Sequence, residues 1–368
     1  MKRPDAAGLA LDDLTVPRPG STTLREVWSR ALRGALIDLL TLTPPAGSAS
    51  WPSMRAALLR LAKAQPGALF SAIRLPSVGT RIRCLRDPSR DDIDRREVFD
   101  GLHAALADAL GAAWTGPPPP VGVSFTSWPR RAMWRDGEWV AADGSGPLFF
   151  DVGGGVVLCR ADDSPLALHE AHPDKDGNRA SLGGELVDAW AGGLRRALEA
   201  IEVALPPLHQ EMTVALRQVV PVGFYEEQHL SASFRENLGT AYVSLHPQDI
   251  TMVEALVHEF SHNKLNALFE LDPVLHNAFS PLYSSPVRPD ARPLHGVLLA
   301  VHAFVAVATV HRSLRRVGHP LASHPSFGAR LSAIEQGNAQ GLQTLQNAEP
   351  TDVGRALLDE LSRLATVG

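Results

Sequence analysis

The chain has 368 residues, 45% of them hydrophobic and 20% charged, which is enough apolar material for a globular fold with a full core. Forty acidic residues against thirty-five basic ones leave a formal charge of −5, which argues against a basic nucleic-acid surface and a polybasic membrane patch. No uncharged apolar run approaches a membrane span or a signal peptide, and the two cysteines, Cys84 and Cys159, stand far apart, so a reducing cytoplasm is the expected location.

The N-terminal part reads as helices. Leu24, Val27, Trp28, Ala31, Leu32, Ala35, Leu36, Leu39 and Leu40 keep helical spacing, with Thr23 and Glu26 placed for a capping box. A second helix follows Ser50, with Pro52 in its first turn, and a third carries Val98, Leu102, Leu106 and Leu110. The run Gly116-Pro117-Pro118-Pro119-Pro120 then marks a boundary between a helical region, 1–115, and a metal-binding catalytic domain, 121–368.

Beyond the prolines, Val121–Phe125, Leu148–Val152 and Val156–Cys159 read as short strands, split by Asp143-Gly144 and by Gly153-Gly154-Gly155. The glycine triplet lacks the Lys-Ser/Thr of a phosphate loop and reads as a hairpin turn. His169, His172 and Asp174 fall in a polar turn, and Trp128, Trp134 and Trp139 have the spacing of a packed sheet face. A helix from about 182 to 205 precedes a strand at Met212–Val220 and another at Leu238–Leu245. Asp249 is placed to cap the next helix, a long apolar helix covers Pro293–Arg316, and two more close the chain. The expected fold is α+β and helix-rich, with a small mixed sheet packed on the helix after Asp249 in a zincin-like core arrangement.

That helix carries His258-Glu259-Phe260-Ser261-His262. Histidines four apart stack on one helix face, so both imidazoles reach one ion, and neutral imidazole suits zinc or ferrous iron. Glu259 lies about 100° round the helix, where a metallohydrolase keeps the base that activates water. A third ligand is required. His302, in the apolar run Leu298–Val307, is the first choice, because a metal would satisfy an imidazole buried there. His295 on the same face is the alternative, followed by Asp290. His276 reads as a loop residue and His311 as solvent-facing.

The motif and its continuation, Asn263-Lys264-Leu265, then Tyr283-Ser284-Ser285-Pro286-Val287-Arg288-Pro289-Asp290-Ala291-Arg292-Pro293-Leu294-His295-Gly296, resemble the HExxH-motif family found with ribosomally made, modified peptides. Ser231-Ala232-Ser233-Phe234 and Gly239–Leu245 extend the likeness, which covers about residues 205–315. That family is described as 2-oxoglutarate-dependent peptide β-hydroxylases. The resemblance implies Fe(II), 2-oxoglutarate and O2, and side-chain hydroxylation of a ribosomal precursor peptide. Arg288 and Arg292 are candidates for the distal carboxylate of 2-oxoglutarate, which a guanidinium binds bidentately, with Tyr283 and Ser285 assisting. In an oxygenase Glu259 would orient a ligand or bind substrate. The third ligand is where this chain departs from the family pattern.

Two rivals stand beside this reading. In a zinc metallopeptidase Glu259 would be the base, and an edge strand at Gly239–Leu245 would hold the peptide by strand addition. A non-catalytic peptide-binding module is the other.

Overall fold

The computed structural model describes residues 2–141, 147–166, 180–283 and 290–366. The sequence-predicted turns at Asp143-Gly144 and at 169–177 lie outside them, as do Ser285 and Arg288. The N-terminal helices are α1 (Thr23–Thr41), α2 (Trp51–Ala64), α3 (Pro66–Ile73), α4 (Pro76–Cys84) and α5 (Asp92–Leu110). Proline occupies the first turn of α2, α3 and α4, where a missing N–H costs nothing. Helix α5 is capped by Asp91, whose carboxylate accepts the Asp94 N–H. The expected capping box on α1 does not form: Thr23 is already helical, and Glu26 turns to Arg30.

Three antiparallel strands follow, β1 (Ser124–Ser127), β2 (Arg130–Arg135) and β3 (Glu138–Ala141). Trp134 and Trp139 sit opposite each other in register and meet edge to face at 5.1 Å, while Trp128 is exposed. Phe125 and Ala132 share one apolar cluster with Leu58, Ile73 and Leu102, so packing continues across the proline run.

The remaining elements are β4 (Phe149–Gly153), β5 (Val156–Cys159), α6 (Val187–Ala204), α7 (Pro206–Ala215), β6 (Gln218–Phe224), β7 (Ser231–Ala232), β8 (Thr240–Leu245), α8 (Asp249–Phe269), β9 (Leu282–Tyr283), β10 (Arg292–Pro293), α9 (Leu294–Arg316), α10 (Phe327–Leu345) and α11 (Asp352–Thr366). The main sheet runs β4-β5-β6-β8-β7 and is mixed: β5–β6 and β6–β8 are parallel, and both outer pairs are antiparallel. The molecule is therefore α+β, as expected. Met212–Val220 is corrected to the end of α7 followed by β6; Pro206-Pro207 starts the helix and its apolar stripe carries it to Ala215.

A second, larger cluster takes in the sheet, α6, α8, α9, α11 and the first half of α1, whose second half belongs to the smaller cluster. Helix α9 is long and apolar enough by length and composition to cross a membrane, and 72% of that stretch is buried against protein. Residues 13–16 form a strap across this core. The Glu360 carboxylate accepts the N–H groups of Leu14, Thr15 and Val16. The buried Lys264 ammonium donates to the carbonyls of Asp13 and Thr15 and to Glu211 Oε2.

Candidate metal centre

Strand β8 and helix α8 build the site. Asn263 locks them together: its Oδ1 accepts the Gly239 N–H at 2.7 Å, and its Nδ2 donates to the carbonyls of Thr240 and Glu259. Gly239 adopts φ 92°, and a Cβ there would sit 3.1 Å from the Ala215 carbonyl, so the close approach requires glycine. Gln248, not Asp249, is the N-cap of α8; Asp249 is the first helical residue and forms a two-pronged ion pair with Arg196.

His258 and His262 stand one turn apart on α8 with their Nε2 atoms 2.9 Å apart. Two neutral rings at that distance share one proton or flank one ion. At a metal–nitrogen distance of about 2.0–2.1 Å, such a separation subtends about 90° at the metal. The His258 ring meets Phe304 of α9 edge-on at 4.8 Å. Glu259 completes the group, with one ligand atom from each of the three residues all within 4.8 Å of one another.

Glu259 is 1% exposed, and each carboxylate oxygen accepts a hydroxyl, Ser231 Oγ at 2.5 Å and Ser233 Oγ at 2.6 Å. His229 lies two residues before β7, and its ring is close enough to His246, His258 and Glu254 to feel their charges. Its Nε2 is buried without a hydrogen-bond partner. Burial first, then the neighbouring His246 and more weakly His258, bring its pKa down to about 4, so the ring is neutral. Sequence reasoning missed His229, though its two-residue spacing from Ser231 and Ser233 was a signal in plain sight.

The other expected ligands are placed elsewhere. His302 is fully buried, but its Nε2 pairs with the Leu14 carbonyl of the strap at 3.2 Å. It lies about 200° round α9 from Phe304, the residue that touches His258. Burial lowers its pKa to about 3. His295 is sandwiched between Phe269 and Phe279, and Asp290 pairs with Arg292 at the surface. His276 is an exposed loop residue, as expected. His311 is corrected: it is fully buried, bonds Glu254 at 2.7 Å and stacks on Phe327. Glu254 also receives Arg330, and together they hold its carboxyl below the ordinary value against burial, which alone would raise it.

Tyr283 and Arg292 face each other across the β9–β10 pair. Both cysteines are buried free thiols pushed up to about 12 by burial, so neither offers a thiolate. Strand β8 is not an edge: β6 pairs on one side, and β7 with Leu230 covers Tyr242–Ser244 on the other. Comparison with known protein families and with characterised proteins gives no match for this chain.

Proposed function

We propose that the chain is a metal-dependent peptide-modifying oxygenase, an Fe(II)- and 2-oxoglutarate-dependent hydroxylase acting on a side chain of a ribosomal precursor peptide. The observation that carries the metal reading is the convergence of His258 and His262 Nε2 at 2.9 Å on the partly exposed face of α8. The donor set suits ferrous iron: two imidazoles on one helix, and a third, neutral imidazole, His229, with a buried nitrogen that no protein group answers. His258, His262 and His229 are the residues that would hold the metal in a zincin-like arrangement of helix and sheet. Iron, 2-oxoglutarate and oxygen together supply the oxidising power for an unactivated C–H bond.

The chain's own residues do the positioning. Ser231 and Ser233 fix both oxygens of Glu259, which in turn ties β7 to the motif helix. A carboxylate so fastened orients its surroundings better than it shuttles protons. Phe304 packs on His258 and keeps water from that side of the ring. Arg292, aligned with Tyr283, would have to exchange its ion pair with Asp290 for the distal carboxylate, with Arg288 and Ser285 nearby in sequence.

The peptidase reading asks for a free edge at β8 and a mobile general base at Glu259. The pairing of β8 on both sides and the double anchoring of Glu259 count against it. The test is an anaerobic optical titration with ferrous iron, with and without 2-oxoglutarate. A weak charge-transfer band that bleaches in oxygen and is absent from His258→Ala supports the oxygenase. Stoichiometric zinc, no such band, and peptide cleavage lost in Glu259→Ala would replace it with a hydrolase.

A further inference from the structure

Strand β7 is the last strand of the main sheet, so one of its sides has no neighbour in that sheet. The ladder on its other side fixes what the open side shows. Ser244 donates its N–H to the Leu230 carbonyl, Leu230 donates its own N–H to Ser244 Oγ, and Ser231 stands opposite Val243. Hydrogen-bonded and non-hydrogen-bonded positions alternate along an antiparallel pair. Leu230 and Ala232 therefore turn their main-chain groups toward β8, and Ser231 turns its N–H and its C=O outward. Among the described residues no group bonds either of them, and Ser231 is half-buried rather than covered. Folds commonly blunt an edge with charge, proline or a bulge. Leu230-Ser231-Ala232 carries neither charge nor proline, and its register with β8 runs without a bulge.

The same serine reaches the candidate metal centre. Its hydroxyl donates to Glu259, which forms one group with His258 and His262, a ligand atom of each lying within 4.8 Å of the others. The Ser231 side chain thus points to the α8 side of the sheet while its main chain points out along the edge. A strand added there runs about 4.8 Å from β7. In an antiparallel pair, residues directly opposite each other keep their side chains on one face. We infer that the open edge of β7 holds the substrate peptide as an added antiparallel strand, with the reacting residue opposite Ser231. The occupant is a main chain because the outward pair is a main-chain pair, one donor and one acceptor on a single residue. An antiparallel partner answers both with one residue of its own. This rests on the reading of the His258–His262 centre as a peptide-modifying site, and it says which residue of the peptide meets that centre. The edge left open by the sheet is β7 rather than β8, and it would hold a peptide for hydroxylation and hydrolysis alike.

The test selects a random heptapeptide library, displayed on mRNA, against the full chain loaded with Co(II), and resynthesises the tightest binder. That peptide slows hydrogen exchange of the Ser231 amide at least about tenfold by NMR. N-methylation moved along the peptide weakens binding at least about fivefold at one residue and less than about twofold at both its neighbours, whose N–H groups turn away. Ser231→Pro removes the outward N–H, a change an edge strand tolerates, and Ser231→Ala keeps it; both lack the hydroxyl that meets Glu259. The proline variant binds the peptide at least about fivefold more weakly than the alanine variant. Should Ser231→Pro fail to fold, the methylation scan decides. With Mn(II) in place of Co(II), the side chain of the methylation-sensitive residue relaxes faster than those of its neighbours. No binder from the library, Ser231 exchange unchanged by the peptide, or equal affinity in the two folded variants would overturn the inference. So would Ser231 protection that grows with protein concentration without peptide, the mark of a second copy on this edge. A peptide that relaxes near Mn(II) but leaves Ser231 exchange unchanged would remove the edge and keep the peptide-modifying reading. A peptide that protects Ser231 in a chain taking up no metal would do the reverse.

Discussion

Replacing Lys264 by methionine isolates the buried ionic joint beneath the motif helix. Lys264 is 4% and Glu211 7% exposed, and the ammonium also holds two strap carbonyls, Asp13 at 2.8 Å and Thr15 at 3.3 Å. Methionine fills the same volume but leaves Glu211 a buried carboxylate whose Oε1 already lacks a partner. Breaking one member of a buried pair costs about 3–5 kcal/mol. At roughly 2 °C per kcal/mol for a large domain, the melting temperature falls by about 6–10 °C near pH 8. The loss depends on pH. Burial raises the Glu211 pKa, and Lys264 is the main group opposing it, so the variant's carboxyl rises further. A folded pKa above the unfolded one contributes stability that is fully present below the unfolded value and lost as pH rises through the folded value. The deficit of Lys264→Met is accordingly smallest near pH 4.5 and grows toward pH 8. Adding Glu211→Leu restores part of it, because no charge then remains to bury. Thermal unfolding of the wild type, the single variants and the double variant at both pH values measures all of this. A deficit under 1 kcal/mol, or one that neither pH nor Glu211→Leu changes, refutes the reasoning.

Three further outcomes are expected. Equilibrium dialysis against Co(II) finds affinity reduced at least about 100-fold in His258→Ala and His262→Ala, reduced in His229→Ala, and kept in His302→Gln. Glu270 is pushed up by burial but pulled down to about 2 by Arg83, Arg86 and Arg3, so its depressed pKa contributes stability above its ordinary value of 4.5. That contribution, about 3 kcal/mol, drains away as pH falls from 4.5 to 2, and acid unfolding of Glu270→Gln loses this slope. Asn338→Leu removes a buried unsatisfied amide and raises stability by about 1 kcal/mol in thermal unfolding.

The long helices were legible because their stripes repeat over many turns: α1 and α9 fall within a few residues of their expected bounds, and α5 holds the expected Val98, Leu102, Leu106 and Leu110 but starts earlier, at Asp92. The hairpin at Gly153-Gly154-Gly155 was legible too, all three residues adopting positive φ. Helices α3 and α4, at eight and nine residues, are too short to show a stripe, and only their leading prolines announced them. The histidine pair is local, four residues apart on one helix, and so its convergence was visible. What lay beyond reach is long-range. His311 reads as exposed until Glu254, 57 residues earlier, is placed against it, and one of the two ring nitrogens of His302 is taken by the Leu14 carbonyl, 288 residues away, while its Nδ1 stays buried without a partner. The pairing of β8 with β7 hangs on two residues, Ser231 and Ala232, too few for any alternation to reveal.

The strap has a consequence for how the chain is made. Its amides at positions 14–16 are made well before their acceptor, Glu360, which emerges some 345 residues later. Closing so long a loop comes late, since contacts distant in sequence form after local ones. Until then Lys264 and His302 face each other's neighbourhood without the carbonyls that satisfy them. The nascent chain thus completes the strap against α8 only once α11 has been synthesised.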